Sequence, residues 1–321
     1  MRLTEQCVLI TGGAGFIGSN LADSLLAKGS RVICYDNLSP YYQGKEANVE
    51  ANLRNPLYRF IKSDILDRAS LSESAKPADV IIHLAAQPGV RHSMENAEAV
   101  IRVNVEGTAS VLEAGRKVDV TKIVFASSSS VYGNPNKLPV AEHGSTNPVS
   151  PYGVSKLAAE EVCRTYSELY GMRITVLRYF TVYGPRQRPD MAVRLFLQEL
   201  ENNRPITIFG DGKQTRDLTY VGDIVDGTLS AAEAELSRYE VFNLGSGHRL
   251  SLLSLVGTLS EVTGKEFLES CRFEPAKAGD VTDTHANIEK ARRLIGFNPQ
   301  TRLKDGLRSF VNWYRAFQTG S

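Results

Sequence analysis

The first thirty residues read as a buried strand, a glycine-rich turn and a helix, and this order restricts the fold more than any other feature. Residues 7–10 are apolar, residues 11–18 contain Gly12, Gly15 and Gly18, and residues 19–28 follow a helical pattern. Such a turn lets the backbone approach a pyrophosphate, and the N–H groups of the helix N-terminus attract its charge. Three glycines alone also suit a plain tight turn, but their position between a strand and a helix favours a dinucleotide site.

Strand and helix signals continue to alternate up to about residue 178. This alternation predicts an α/β fold with a Rossmann-like, doubly wound parallel sheet. We expect a nucleotide-binding domain over residues 1–178 and a smaller substrate-binding domain over residues 179–321. Residues 241–245 look like a strand that returns to the first sheet, so the two domains are predicted to interleave. Helices of the second domain are predicted over residues 191–202, 221–236 and 251–263.

The second predicted strand, residues 31–35, ends at Asp36, about 20 residues past the glycines. A carboxylate at this place accepts hydrogen bonds from an adenosine ribose and repels a 2′-phosphate. Asn37 and Leu38 beside it offer no cation, so the sequence favours NAD over NADP. An aspartate that only forms the turn is the alternative interpretation.

Asp64, Ala85 and Ser128 each stand near the carboxyl end of another predicted strand. Because ligands of open parallel sheets bind outside those ends, we expect these residues to face one crevice. His83 lies within its strand and is expected to be a packed residue rather than a catalyst.

Tyr152 and Lys156 are four residues apart in a helical segment, and a serine run at residues 127–130 precedes them. Residues at this spacing project from one face of a helix. A free tyrosine has a pKa near 10, and a neighbouring ammonium favours the phenolate, so Tyr152 is a candidate base near neutral pH. An ordinary amphipathic helix would explain such a pair alone, but not its combination with the glycine turn.

Composition excludes several classes of function. The 321 residues include 37 Lys and Arg against 36 Asp and Glu, which gives a formal charge of +1 and no reason to expect a nucleic-acid partner. No apolar run reaches the length of a membrane span, and the first strand begins too early for a signal peptide. Cys7, Cys34, Cys163 and Cys271 lack metal-ligand spacing, so we predict no metal site, reduced thiols and a cytoplasmic protein.

Together these segments resemble the extended short-chain dehydrogenase/reductase family, and specifically its nucleotide-sugar epimerases. The resemblance extends over essentially the whole chain. It depends on residues 12–18, 36–38, 83–86, 104, 127–133, 152–156 and 216–221. It implies bound NAD, and the cofactor-binding positions are Gly12, Gly15, Phe16, Ile17, Gly18, Asp36, Asn37, Asp64, Ile65, Leu84, Ala85, Ala86, Asn104, Tyr152 and Lys156.

The resemblance also implies roles for individual residues. Tyr152 would be the general base for a sugar hydroxyl, Lys156 would lower its pKa and hold the nicotinamide ribose, and Ser128 would hydrogen-bond the reacting oxygen. Asn104 would steady the active-site helix, and Arg216 would bind the substrate diphosphate by bidentate contacts.

The serine run separates this chain from other enzymes of the family that it resembles. Sugar 4,6-dehydratases carry an Asp-Glu pair where Ser129 and Ser130 stand, and UDP-glucuronate decarboxylases carry a Glu at the position of Ser130. Without those acids, the remaining chemistry is oxidation at C4 and return of the hydride to the other face. This is the reaction of a 4-epimerase, in which NAD finishes unchanged.

Residues 180–191 and 88–91 resemble the corresponding segments of UDP-glucuronate 4-epimerases. Oxidation of glucuronate at C4 gives a β-keto acid that is prone to lose CO2. Hydroxyls of Ser128, Ser129 and Thr181 would hold the carboxylate away from the geometry that favours this loss. The substrate-binding residues are therefore predicted to be Pro88, Arg91, Ser128, Ser129, Thr181, Arg188, Arg216 and Lys277.

Several alternatives stay open at this point. Arg188 would equally suit a surface or an interface, and Lys277 replaces a common arginine, so it offers a phosphate a point charge rather than a fork. Thr284 stands where some relatives have a bulky tyrosine, so UDP-GlcNAc, like UDP-glucose, remains a candidate substrate. A non-catalytic NAD-binding module is the alternative from another class. A homodimer is expected through a four-helix interface formed by residues 97–117 and 152–170.

Overall fold

The computed structural model describes residues 2–120, 122–265, 271–277 and 279–319. Within these ranges, seven parallel strands form one sheet, and three pairs of short strands lie elsewhere. The strands are β1 (Cys7–Thr11), β2 (Arg31–Asp36), β3 (Tyr58–Lys62), β4 (Val80–His83), β5 (Lys122–Ser128), β6 (Arg173–Tyr179), β7 (Thr181–Tyr183), β8 (Ile206–Phe209), β9 (Thr215–Arg216), β10 (Leu218–Tyr220), β11 (Tyr239–Leu244), β12 (Leu250–Ser251) and β13 (Cys271–Glu274).

The helices follow the strands in alternation through the first half of the chain. They are α1 (Phe16–Ala27), α2 (Lys45–Glu50), α3 (Arg68–Ala75), α4 (Val90–Glu95), α5 (Ala97–Ile101), α6 (Gly107–Lys117), α7 (Pro151–Tyr170), α8 (Ala192–Glu201), α9 (Val221–Glu233), α10 (Leu252–Thr263), α11 (Glu289–Ile295) and α12 (Leu303–Thr319). The helix expected over residues 97–117 is divided, because a π-helical turn at Arg102–Glu106 separates α5 from α6. No helix in the described ranges is both long and apolar enough to span a membrane.

The large sheet has apolar cores on both faces, as a buried parallel sheet requires. Successive side chains of β1 point to opposite faces, so Val8 and Ile10 pack in the core that includes α1 and α9. Cys7 and Leu9 pack in the core that includes α3, α6 and α7. Burying a side chain as fully as Leu9 contributes roughly 1.5–3 kcal/mol. The continuous apolar run at residues 7–10 thus reflects burial from two sides.

The strand order is β3-β2-β1-β4-β5-β6-β11, and every neighbouring pair is parallel. The chain moves outward from β1 in one direction and from β4 in the other, so a crevice opens between their carboxyl ends. The predicted α/β class with a doubly wound parallel sheet is confirmed.

The second half of the chain forms its own apolar core and also completes the large sheet. Phe196 of α8, Leu255 of α10 and Phe310 of α12 pack together away from the sheet. The strand expected near residues 241–245 is β11, which pairs in parallel with β6 at the edge of the sheet. The division into domains at residue 178 stays a prediction.

Candidate active site

The glycine turn lies where β1 ends and α1 begins, and it packs closely against the loop after β4. Gly12 has a φ of 73°, and a Cβ on it would lie 2.6 Å from the backbone nitrogen of Ala85. A side chain would therefore occupy the space where two backbone segments meet. The turn delivers the N-terminal end of α1 to the crevice, an arrangement that suits a dinucleotide pyrophosphate.

Asp36, at the end of β2, is buried behind this turn. One of its carboxylate oxygens accepts a hydrogen bond from the Ala14 N–H at 3.1 Å, and the other accepts one from the Leu38 N–H at 2.9 Å. Burial raises the pKa of Asp36, while the Leu38 N–H, the Lys45 ammonium and the Ala14 N–H lower it.

Lys45 is a residue of this region that sequence reasoning missed. It is buried on α2, its ammonium lies 4.7 Å from the centroid of the Tyr42 ring, and it acts electrostatically on Asp36. The residues next to Asp36 in the sequence carry no positive charge, but the loop before α2 folds back and places Lys45 near Asp36. No spacing rule in the sequence signals such a return.

One cleft, here called the first cleft, collects the predicted cofactor residues. Pro88 and Arg188, both predicted to bind substrate, and the unpredicted residues Lys45 and Tyr41 line it as well. Of the predicted cofactor positions, all except Asn104 line it: Gly12, Gly15, Phe16, Ile17, Gly18, Asp36, Asn37, Asp64, Ile65, Leu84, Ala85, Ala86, Tyr152 and Lys156.

Asn104 lies behind the first cleft, in the π-helical turn, with 1% of its surface exposed. Its carbonyl oxygen accepts a hydrogen bond from the Gln87 N–H at 2.7 Å, and its amide donates to the Ser155 hydroxyl at 2.9 Å. Asn104 therefore ties a loop of the cleft to α7. Its role in steadying that helix stays a prediction that these contacts suit.

Tyr152 stands in the first turn of α7, which begins at Pro151 with the Ser150 side chain as its N-cap. Burial raises the pKa of Tyr152 above its ordinary value near 10. The Arg188 guanidinium and a hydrogen bond with Ser128 lower that pKa in part. Ser128 lies at the end of β5, and its hydroxyl donates a hydrogen bond to the Ser130 hydroxyl at 3.1 Å, so the proton relay through Ser128 stays a prediction.

Lys156 lies one turn further along α7 and is also buried. Its ammonium donates a hydrogen bond to the carbonyl oxygen of Ala126 at 2.8 Å, and burial lowers its pKa to about 8. In this structure the cation that lowers the pKa of Tyr152 is Arg188, which sequence reasoning did not assign to this task. The predicted effect of Lys156 on the phenol stays a prediction.

A second cleft adjoins the first and shares Tyr41 and Arg188 with it. Arg188 donates two hydrogen bonds to Asp190, at 2.9 and 3.0 Å, and the Tyr41 hydroxyl donates to the same carboxylate at 3.0 Å. The second cleft is also lined by the predicted residues Arg91, Thr181 and Arg216 and by the unpredicted residues Arg204 and Arg272.

Lys277 contacts this second cleft through Phe209, which lines it. The ammonium lies 4.0 Å from the centroid of the Phe209 ring, and the Arg91 guanidinium lies 4.7 Å from the same centroid. Arg216 donates to the carbonyl oxygens of Thr215 and Thr282, and burial lowers its pKa below the ordinary value of an arginine. The second cleft therefore collects five arginines, of which Arg91, Arg188 and Arg204 form ion pairs with Asp280, Asp190 and Glu199 of the same cleft.

Ser129 and His83 complete the set of predicted positions. Ser129 begins a 3₁₀ turn directly after Ser128, which accepts a hydrogen bond from the Ser130 N–H at 3.1 Å. The ring nitrogens of His83 face the hydroxyls of Thr11 and Thr108 at 2.7 and 3.0 Å. Burial lowers the pKa of His83 to about 3, which agrees with a packed histidine. Among the described residues, no group of three or more His, Cys, Asp or Glu could hold a metal.

Known proteins share this arrangement over nearly the whole chain. The protein of Bacillus subtilis named "Uncharacterized UDP-glucose epimerase YtcB" is 40% identical over 98% of this chain and 99% of its own length. UDP-glucuronic acid 4-epimerase of Bacillus cereus, solved with UDP-glucuronic acid and NAD, is 37% identical with a TM-score of 0.91. UDP-glucose 4-epimerase of Thermotoga maritima, solved with UDP-glucose, is 34% identical with a TM-score of 0.90.

Both solved structures align over 97% of this chain and 99% of their own. Residues 8–245 match the model of the NAD dependent epimerase/dehydratase family. The backbone approach at Gly12 and the carboxylate of Asp36 fit the dinucleotide that this name specifies. The chain therefore belongs to the NAD dependent epimerase/dehydratase family, and NAD is its cofactor.

Proposed function

We propose that this NAD-dependent nucleotide-sugar epimerase interconverts UDP-glucuronate and UDP-galacturonate by inverting C4 through a transient 4-keto sugar. The position of Arg188 carries the proposal. Its guanidinium lines both clefts, acts on the Tyr152 phenol and shares the second cleft with the Thr181 hydroxyl. A cation and a neutral hydroxyl beside the reacting alcohol suit a sugar whose carboxylate is attached next to C4.

In the proposed mechanism, NAD bound in the first cleft supplies the acceptor and donor of the C4 hydride. Tyr152 takes the proton of the C4 hydroxyl and returns it after the keto sugar has turned, while Ser128 hydrogen-bonds the reacting oxygen. Lys156, which projects from the same face of α7 as Tyr152, would hold the nicotinamide ribose. The Tyr152 proton must leave a phenol whose pKa burial has raised, so Arg188 and Ser128 contribute by lowering it.

The anionic end of the substrate is assigned to the cations of the second cleft. Arg216 and Lys277 are proposed to bind the diphosphate, with Arg91 beside them over the Phe209 ring. Arg91 forms an ion pair with Asp280 at 2.9 Å, which fixes its direction at the edge of the cleft. Arg272 adds positive charge that the sequence motifs do not indicate, whereas Arg204 is paired with Glu199 of the same cleft at 2.8 Å.

The carboxylate of glucuronate is assigned to Ser128, Ser129 and Thr181, with Arg188 beside them. Neutral hydroxyls grip the carboxylate without a nearby acid that would protonate an enolate, and this protects the β-keto acid intermediate from losing CO2. The likeness to the Bacillus cereus enzyme supports this choice.

UDP-glucose and UDP-GlcNAc remain the alternative substrates. The Bacillus subtilis relative and the Thermotoga maritima structure favour the former. The small Thr284, whose hydroxyl accepts a hydrogen bond from the Asp217 N–H at 2.9 Å, leaves room for the latter. A non-catalytic NAD-binding module is the remaining class, and the presence of Tyr152 and Lys156 in the first cleft, with Ser128 lowering the pKa of the Tyr152 phenol, argues against it.

A homodimer in the cytoplasm completes the proposal. Large apolar side chains are exposed on α5 and α7, two of the helices in the segments assigned to the four-helix interface: Ile101 at 44%, Val154 at 47% and Leu169 at 69%. Exposed apolar side chains in these segments support an interface between two copies.

The substrate is tested by product analysis. We expect purified holoenzyme to convert UDP-glucuronate into UDP-galacturonate and to act on UDP-glucose and UDP-GlcNAc at least tenfold more slowly, a difference that a charged contact readily supplies. NMR of the sugar C4 proton, with each substrate incubated separately, measures this. Turnover of the neutral sugars alone would contradict the glucuronate assignment, and a UDP-pentose as main product would contradict the proposed grip on the carboxylate.

Arg188→Met is expected to move the acid limb of the pH profile of kcat/KM to higher pH. The guanidinium lowers the pKa of Tyr152, so its removal raises that pKa, and the base is then deprotonated only at higher pH. Rates from pH 5 upward measure the limb. Arg186→Met is the matched control, because Arg186 pairs with Asp23 and lines neither cleft. An unchanged limb in Arg188→Met would exclude this role for Arg188.

A further inference from the structure

A buried polar network lies directly behind the serine run and α7, and the proposed mechanism does not use it. Its centre is an ion pair between Glu160 of α7 and Arg178 of β6, whose side chains are 3% and 7% exposed. Arg178 Nε donates to one carboxylate oxygen at 3.0 Å, and Nη2 donates to the other at 2.7 Å. This parallel fork fixes both the distance and the plane of the two groups.

The pair is attached to the strand that carries Ser128. The Ser127 hydroxyl, on β5, donates a hydrogen bond to Glu160. Ser127 is itself buried, and the next residue is Ser128, which lowers the pKa of the Tyr152 phenol. Glu160 is also one helical turn beyond Lys156 and two turns beyond Tyr152, on the same stretch of α7.

The same network reaches the strand that the second half of the chain supplies. Arg178 Nη1 donates to the Tyr132 hydroxyl at 2.8 Å, and that hydroxyl donates to the Asn243 carbonyl oxygen at 2.7 Å. Asn243, on β11, donates in turn to the backbone carbonyls of Val140 and Asn287. The ion pair therefore connects β5, β6, α7 and β11 at one point.

We propose that Glu160 and Arg178 are positioning residues that set the spacing between the strand end carrying Ser128 and the helix carrying Tyr152 and Lys156. The fork to Glu160 fixes α7 against β6, and the Ser127 contact fixes the end of β5 against α7. Neither residue lines either cleft, so their effect on the reaction passes through Ser128 and α7.

The energetics of buried ion pairs favour this interpretation over one of simple stability. Replacing such a pair by apolar side chains of similar volume is often neutral or stabilising, whereas removing one partner costs about 3–5 kcal/mol. A pair that served stability alone would therefore be replaceable. A misplacement of about 1 Å between reacting groups, in contrast, can cost roughly 100-fold in rate.

The experiment compares Glu160→Gln and the double variant Glu160→Met/Arg178→Met with the wild-type holoenzyme. We expect both to lower kcat about tenfold to 100-fold with KM changed less than about twofold, and the double variant to recover the wild-type Tm. Wild-type kcat in the double variant, or in Glu160→Gln despite a lowered Tm, would overturn the proposal. If the double variant does not fold, Glu160→Gln decides alone.

A titration of the Tyr152 phenol gives a measurement that does not change when a variant only loses stability. The Ser128 hydrogen bond lowers the pKa of Tyr152, so displacement of Ser128 in Glu160→Gln is expected to raise that pKa. The phenolate absorbance of each background minus that of its Tyr152→Phe counterpart isolates the titration of this one tyrosine, with Arg188 unchanged. An unmoved pKa would contradict the proposal.

Glu161→Gln is the matched control on the same helix. Glu161 pairs with Arg164 at 2.7 Å, and both side chains are exposed, so its replacement is expected to leave kcat and the titration unchanged. The kinetic arm depends on the proposed function, and it is run with whichever UDP-sugar the wild type turns over. The titration arm needs no substrate, so failure of the substrate assignment and failure of the positioning role give different results.

Discussion

Tyr152→Phe is expected to lower kcat by about 10²–10⁴-fold while leaving the fold and NAD binding intact. Ser128 and Arg188 both lower the pKa of this phenol, and phenylalanine keeps the ring while removing the only proton that it can exchange. Turnover of the preferred UDP-sugar by NMR and NAD content after dialysis measure the two expectations separately.

Tyr170→Phe is the control for this experiment. Tyr170 ends the same helix and is 51% exposed, so it tests the loss of a hydroxyl from α7 outside the site. We expect wild-type turnover in that variant. Near-normal turnover in Tyr152→Phe would mean that another group accepts the proton.

Gly12→Ala is expected to release NAD and to lower the free energy of unfolding by about 2–5 kcal/mol. The positive φ of Gly12 costs an alanine roughly 1–2 kcal/mol, and forcing a methyl into a packed contact costs typically 1–3 kcal/mol more. The methyl would displace the backbone of Leu84 and Ala85, which line the cofactor cleft. Urea unfolding of the apoprotein and calorimetric titration with NAD measure the two effects.

Gly29→Ala separates strain from crowding. Gly29 has a φ of 80°, but no atom lies within 4 Å of the position that its Cβ would occupy. The free energy of unfolding of Gly29→Ala should fall only by the cost of the positive φ, and the variant should keep its affinity for NAD. Equal losses in both variants would show that the contact with the loop after β4 is not what excludes a side chain at Gly12.

The sheet is predicted correctly from the sequence, and the predicted cofactor residues collect in one cleft, because both depend on local patterns. Apolar runs followed by Gly12, Asp36 and Ala85 mark strand ends, and strand ends of a parallel sheet share one edge. The Tyr152–Lys156 spacing likewise depends only on helix geometry. Each of these signals can be read within a window of a few residues.

The residues and roles that the sequence analysis missed depend on contacts between distant segments. Lys45 reaches Asp36 through the return of a loop, and Arg188 approaches Tyr152 from a segment that follows β7. Glu160 and Arg178 are 18 positions apart, and only the packing of α7 on β6 makes them a pair. In the sequence alone, the charges of these residues look like ordinary surface charges, and only the three-dimensional structure shows their contacts.

The position of β11 in the chain determines when the large sheet can be completed during synthesis. A ribosome that has released residues 1–178 has made every nucleotide-contacting strand, yet β6 still lacks β11 on its outer side. During that interval β6 is an open, apolar edge, which is the kind of surface that pairs with other nascent chains. Because β11 comprises residues 239–244, we infer that the sheet of the cofactor-binding half is completed only after nearly half of residues 179–321 has been synthesised.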